Sequence, residues 1–458
     1  MNKSPKSTRN LAITSSNKSI KSLLRRRWLA IAIALALTGL GASLTGSLFK
    51  SGIKLLETWR LELLVIFPAW IVLPLLGITG GFISGTLIKK LAPAASGSGV
   101  IPIMGYLRHR NIPMGLRVGL VKLVAGIIAI GSGFPLGPEG PAVQMGGSVA
   151  WQFAKWLKAP NAFRRVIVAA GGGAGIAAIF SAPLGGFFYA IEELLNSARP
   201  IILVLVIVTT FWADSWADLL QSMGLGNSEG GFNKLLGFQL ERTYSPQVEF
   251  FPIDFIYLIA LGIVAGLLAE VYSRYVITMQ KQGDKFFGKK LVLRMVVSGF
   301  ILGGIYSCLP ETFHKASVLQ SKIALGSIDI KMAITTFIVL FICSGIAAAS
   351  KAPGGLFYPM LTLGGSIGLA FGIIVEILTG HVPSTYVFAG MGAFVAGCSH
   401  TPITAMFLAF ALTKDLLILK PILVATLTSF LVARIFNESS IYERQLKIEF
   451  KSNNTKPQ

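Results

Sequence analysis

Gly137-Pro138-Glu139-Gly140-Pro141 is followed four residues on by Gly146-Gly147-Ser148, and the chain repeats this statement 218 residues later (137 to 355) as Gly355-Leu356-Phe357-Tyr358-Pro359 and Gly364-Gly365-Ser366. Both copies read G-x-(E/F)-x-P-x-x-x-x-G-G-S. A second correspondence follows at an offset of 219 (183 to 402): Gly171, Gly173, Pro183, Phe188 and Ala190 match Gly390, Gly392, Pro402, Phe407 and Ala409. Glycine-broken apolar segments at matching places in two halves point to a transporter whose binding site lies where the halves meet. One copy carries a carboxylate, Glu139, where the other carries Phe357, so the chemistry is expected in the first copy.

The setting of both copies is apolar. Of 458 residues, 53% are hydrophobic and 13% charged, against about 25% charged in soluble domains. Apolar runs lie near 28–49, 62–87, 116–136, 166–195, 200–220, 255–278, 293–309, 332–349, 360–378, 385–413 and 417–436. A simple spanning helix needs about 20 apolar residues. Several of these runs are too long or too rich in glycine for that, which predicts tilted, broken and re-entrant helices tolerated where backbone is buried or lines water. The expected fold is all-α and polytopic, two inverted-topology pseudo-repeats meeting at a central anion site. Its divisions are a basic tail at 1–27, a first repeat at 28–222, an external linker at 223–254, a second repeat at 255–436 and a short tail at 437–458.

The net charge of +21 reads as topology. Cytoplasmic segments collect Lys and Arg. Lys3, Lys6, Arg9, Lys18, Lys21, Arg25, Arg26 and Arg27 precede the first acid, Glu57, which predicts a cytoplasmic N-terminus. The linker, with Glu229, Glu241, Glu249 and Asp254 against Lys234 and Arg242, reads as external, and 274–294 as internal. The multi-pass protein is expected in a bacterial-type inner or plasma membrane with both termini cytoplasmic. The Ser- and Arg-rich, acid-poor start also has the composition of an organellar transit peptide. No basic domain interleaved with aromatics lies outside the membrane part, so nucleic acid is not an expected partner. Cys308, Cys343 and Cys398 form no CxxC pair and read as buried free thiols. The four histidines, His400 among them, lack metal-ligand spacing, and neither a metal nor a cofactor is expected. Gly364-Gly365-Ser366-Ile367-Gly368 fits a nucleophile elbow, but that elbow needs a strand-turn-helix setting. Here it lies in a helical apolar run, so the chain is not expected to be an enzyme.

Three breaks carry the chemistry: Gly97-Ser98-Gly99, residues 137–141 and residues 354–359. A helix that starts inside a membrane presents unpaired N–H groups and the positive end of its dipole. Several such ends together hold an anion without a full positive charge. Glycine at any one break is equally consistent with tight helix crossing; three breaks, two of them repeat-related, favour the anion site. A lone carboxylate at such an end, Glu139, is costly in membrane unless paired or functional. Ionised, it is itself an anion able to fill the site; protonated, it can leave. Glu192 and Glu193 end the uncharged run Ile176–Ile191, and the repeat twin of Glu193 is Leu412.

These motifs, in this order, resemble the CLC family of chloride channels and proton/chloride exchangers, over nearly all of 60–445. The family's G-S-G-I-P is similar to Gly97-Ser98-Gly99-Val100-Ile101, with the proline displaced to Pro102; its G-(R/K)-E-G-P and G-x-F-x-P are similar to 137–141 and 355–359. Its Ala-Pro-Leu with a following Glu-Glu looks like Ala182-Pro183-Leu184 with Glu192-Glu193, and its late tyrosine matches Tyr442. The resemblance implies that Ser98 and Tyr442 offer hydroxyls, and Leu356 and Phe357 backbone N–H groups, to a central anion. It implies that Glu139 is a gating glutamate, that Glu193 passes protons from the cytoplasm with Glu192 in support, and that Gly97, Gly99, Gly137, Gly140 and Gly355 let backbone approach the ion. Serine at 98 goes with chloride in the family, proline with nitrate. The implied function is secondary antiport of chloride, with nitrate or other halides as further cargo, against protons, in a homodimer within the bilayer. The alternative is a passive voltage- or pH-gated chloride channel of the same fold. One departure stands out. Pro138 replaces the usual Arg or Lys and removes both a cation and an N–H, which predicts a weaker outer anion position.

Overall fold

Glycines of the two halves pack directly against each other. The computed structural model describes residues 5–197, 199–223, 253–380, 384–413 and 415–454. In it Gly77 and Gly299 pack backbone to backbone, and a Cβ on either would stand 2.6 or 2.5 Å from the other's carbonyl carbon. Gly137 and Gly355 form an isolated antiparallel β-bridge, each N–H donating to the other's carbonyl at 2.8 Å. A residue that meets its own repeat twin marks a two-fold relation between the halves, and the expected pseudo-repeats are present.

In chain order the helices are α1 (Pro5–Ile66), α2 (Ala69–Leu91), α3 (Val100–Leu107), α4 (Leu116–Gly131), α5 (Glu139–Trp156), α6 (Asn161–Phe180), α7 (Pro183–Tyr189) and α8 (Pro200–Ser222). The second half continues with α9 (Asp254–Phe287), α10 (Leu291–Ser307), α11 (Ala316–Ala324), α12 (Ile330–Ala349), α13 (Phe357–Thr379), α14 (Ser384–Ser399), α15 (Pro402–Thr413), α16 (Leu419–Phe436) and α17 (Ile441–Asn454). A π-helical turn, Ala190–Leu195, prolongs α7. No strand occurs among the described residues, as the all-α expectation requires.

Eight helical stretches among these residues are long and apolar enough to cross a membrane. Helix α9 has 34 residues, so at about 1.5 Å per residue it is longer than the hydrocarbon core is thick and must tilt or protrude. Helix α3 has 8 residues and α7 has 7, too few to cross. These are the broken helices. The spans also differ in role: 89% of the α6 window is buried in protein, against 44% for α2. Helix α6 is thus a core helix packed on α5, while α2 turns Trp70, Leu75 and Phe82 outward.

Three expectations meet a different structure. The basic N-terminal stretch is not separate from the membrane part: from Pro5 it is one helix with the apolar segment, because neither Gly nor Pro occurs again before Gly39. The C-terminal segment is no mere tail, since α17 packs against α3 and buries Tyr442 at 1% exposure. Cys343 and Cys398 are buried, but Cys308 is exposed, being the residue that closes α10. The acids and bases of the linker named above, Asp254 excepted, lie outside the described residues.

Candidate anion and proton site

The glycines of all three breaks touch. A Cβ on Gly99 would lie 3.0 Å from the carbonyl carbon of Gly140, and one on Gly140 would lie 3.0 Å from the Cα of Gly355. Gly97 and Gly99 also hold φ of 69° and 91°, a region costly for residues with a side chain. Side chains here would force the starts of α3, α5 and α13 apart. Their absence brings three helix N-termini to one point.

Glu139 is the first residue of α5 and is 2% exposed. Its Oε1 accepts from the N–H of Phe357 at 2.6 Å and, at a long 3.4 Å, from that of Tyr358. The carboxylate of the first repeat therefore caps the opening turn of α13 in the second. Its Oε2 has no hydrogen-bond partner among the described residues. Among the described residues the Glu139 carboxylate meets the amides of Phe357 and Tyr358, the first two residues of α13; Pro359, the third, has none.

Ser98 precedes α3, and its buried hydroxyl likewise has no partner among the described residues. Leu356 and Phe357 are 2% exposed. The Phe357 ring lies edge-on to Phe180 at 5.9 Å. Tyr442 has Tyr189, Glu139 and Glu193 as electrostatic neighbours. Helix α17 thus carries its hydroxyl to the same region.

Two cavities approach these groups. One of about 130 Å³ is lined by Pro138 and Tyr358, which flank the Glu139 contact, and by Glu57, Arg60 and His314. The Arg60 guanidinium donates to the carbonyls of Gly131 at 3.1 Å and His314 at 2.9 Å. A cation from α1 therefore stands in the cavity beside Pro138, where the family's usual basic residue is missing. The other cavity, about 70 Å³, is lined by Ser98, Leu356, Asp284, Lys351, Gln445 and Glu449 among others.

The acid pair at 192–193 separates. Glu193 is 5% exposed, with Glu443, Arg108 and Glu192 as charged neighbours. Glu192 turns to the second repeat, accepting from the N–H groups of Ile403 and Thr404 at 3.3 and 2.8 Å and from the Thr404 hydroxyl at 2.6 Å. It caps α15 much as Glu139 caps α13, so two acids of the first half close two helix starts of the second.

Two lysines escaped the sequence reading. Lys122, fully buried in α4, donates to the carbonyls of Ala95, at 3.1 Å, and of Gly97. It holds the turn that presents Ser98. A single lysine inside the apolar run 116–131 was the available signal. Lys351 sits at φ 60°, its carbonyl accepts from the Gly97 N–H at 2.8 Å, and its ammonium pairs with Asp284 at 2.8 Å beside Arg294.

Membrane-length apolar helices in two related halves, with an acid lodged where three helix starts converge, define a membrane protein built to hold an ion. The family described as "Voltage gated chloride channel" matches residues 80–434, and the chain belongs to it. It is 27% identical to the H(+)/Cl(-) exchange transporter ClcA of Vibrio parahaemolyticus over 94% of this chain and 92% of that one. It is 28% identical to the protein of the same name from Salmonella arizonae, over 90% and 87%. Among solved structures, a slow cyanobacterial Cl-/H+ antiporter superposes with a TM-score of 0.80 at 26% identity, covering 93% of this chain and 99% of that one. A eukaryotic CLC transporter shares the fold, with a TM-score of 0.76 at 22% identity over 92% of this chain and 74% of that one.

Proposed function

We propose that this protein is a secondary antiporter exchanging chloride for protons. The observation that carries the proposal is the 2.6 Å bond from the Phe357 N–H to Glu139. A tethered carboxylate fills the place where a helix start would hold a free anion. Ionised, Glu139 and chloride exclude each other there. Protonated, Glu139 loses its charge, its hold on the two amides weakens, and an anion takes the position with the hydroxyls of Ser98 and Tyr442 turned toward it. Proton occupancy of one residue and anion occupancy of one site are then reciprocally linked. Glu193 supplies the proton from the face that carries α17.

Serine at 98 supports chloride over nitrate as the main cargo. The basic start and the basic 274–294 segment support a cytoplasmic location for both termini in a bacterial-type plasma membrane, and the family likeness supports a homodimer. The test is simultaneous recording of chloride efflux and proton uptake from vesicles holding the purified protein. Efflux of chloride should drive protons inward against their gradient, and chloride flux with no proton movement would overturn the proposal.

A further inference from the structure

Protons have to cross the interior between Glu193 and Glu139, and a side chain that the transport scheme leaves unused is an electrostatic neighbour of both. Tyr189 is the last residue of α7, and Glu193 follows it by four residues on the π-turn continuing that helix. Residues at this spacing are neighbours on one helix face. The electrostatic neighbours of Tyr189 are Glu193 and Glu139, the two acids that must exchange a proton. Its ring is 2% exposed, and its hydroxyl makes no hydrogen bond among the described residues. A buried hydroxyl left without a partner costs about 1–3 kcal/mol, so its retention calls for a use. Phe187 and Phe188, one and two residues before it, show that a plain ring suits this helix. Besides Tyr189 and Tyr442, Glu193 is faced by Arg108, Glu443, Glu192 and the Ser440 hydroxyl, which bonds its carboxyl. Arg108 and Glu443 form an ion pair 42% and 30% exposed, and Glu192 is held by α15. The Tyr442 hydroxyl is assigned to the anion.

We propose that the Tyr189 hydroxyl relays protons between Glu193 and Glu139, an inference that rests on the antiport reading above. The protonated Glu193 carboxyl gives its proton through a bridging water to Tyr189 Oη as the phenolic proton leaves Oη, through a second water, for the Glu139 carboxylate. One proton leaves Glu193, one arrives at Glu139, and the phenol is regenerated. Transfer is concerted, because a free phenol ionises only near pH 10 and a buried phenolate is costlier still. Rotation about the C–O bond resets the donor.

The test is Tyr189→Phe, which removes one oxygen and keeps the ring. In vesicles with a fixed chloride gradient, proton uptake should fall about a hundredfold, the low end of what a positioned proton-transfer group contributes. The solvent deuterium isotope effect on coupled exchange should change with it, which a packing defect would not produce. Monodisperse elution in detergent reports folding. Coupled exchange at the unmodified rate and isotope effect in Tyr189→Phe overturns the relay while leaving the antiport reading intact. Absence of proton movement in the unmodified protein overturns both.

Discussion

Replacing Glu139 by Gln tests the competition at its centre. The side chain keeps its shape and loses its charge, so the change acts on the 2.6 Å bond from the Phe357 N–H. The 3.4 Å contact with the Tyr358 N–H is too long to matter much. A hydrogen bond to a charged acceptor contributes about 1.5–3 kcal/mol and a neutral one about 0.5–1.5 kcal/mol. The tethered group therefore loses about 1–2 kcal/mol of its hold on the α13 start. Chloride competing for that place gains the same amount, which is about 5- to 30-fold in apparent affinity. Calorimetric titration of the purified protein with chloride reads this directly, and paired flux measurements should show chloride moving without protons. Unchanged or weaker chloride binding in Glu139→Gln, or continued uphill proton movement, would refute the reasoning.

Glu193→Gln should likewise stop proton uptake while chloride flux stays measurable; retained proton pumping would remove Glu193 from the route. Ser98→Pro should raise nitrate preference over chloride, read as a change in reversal potential with mixed anions, and an unchanged potential counts against the filter role. Lys351→Gly should stabilise the fold: a residue with a side chain at φ 60° costs about 1–3 kcal/mol, whereas the half-exposed Lys351–Asp284 pair returns about 0–1 kcal/mol. The expected result is a thermal midpoint in detergent raised by a few degrees; a lowered one would show that the pair outweighs the strain.

The sequence made the helix starts of the site legible because the features that set them are local. Gly99, Pro138 and Gly355 each interrupt an apolar run, and α3, α5 and α13 begin at or within two residues of them. The repeat spacing then placed Glu139 opposite Phe357 before any geometry was known. Long-range partners were not legible. Lys122 reaches Gly97 from 25 residues away, and Glu192 reaches Thr404 across 212, with no pattern in either segment naming the other. Tyr189 looked like one more apolar residue of its run, because only the fold shows which ring has both acids as neighbours. Tyr442 came from family likeness alone; its own surroundings, Ile441 and Glu443, carry no sign that α17 folds back onto α3.

The mutual bonds between Gly137 and Gly355 set a limit on how the molecule can work. They stitch the two halves together within two residues of Glu139. A pump that rocked one half against the other would have to tear and remake that seam in every cycle. With the seam closed, the frame stays still there, and the least costly part left to swing is a single side chain.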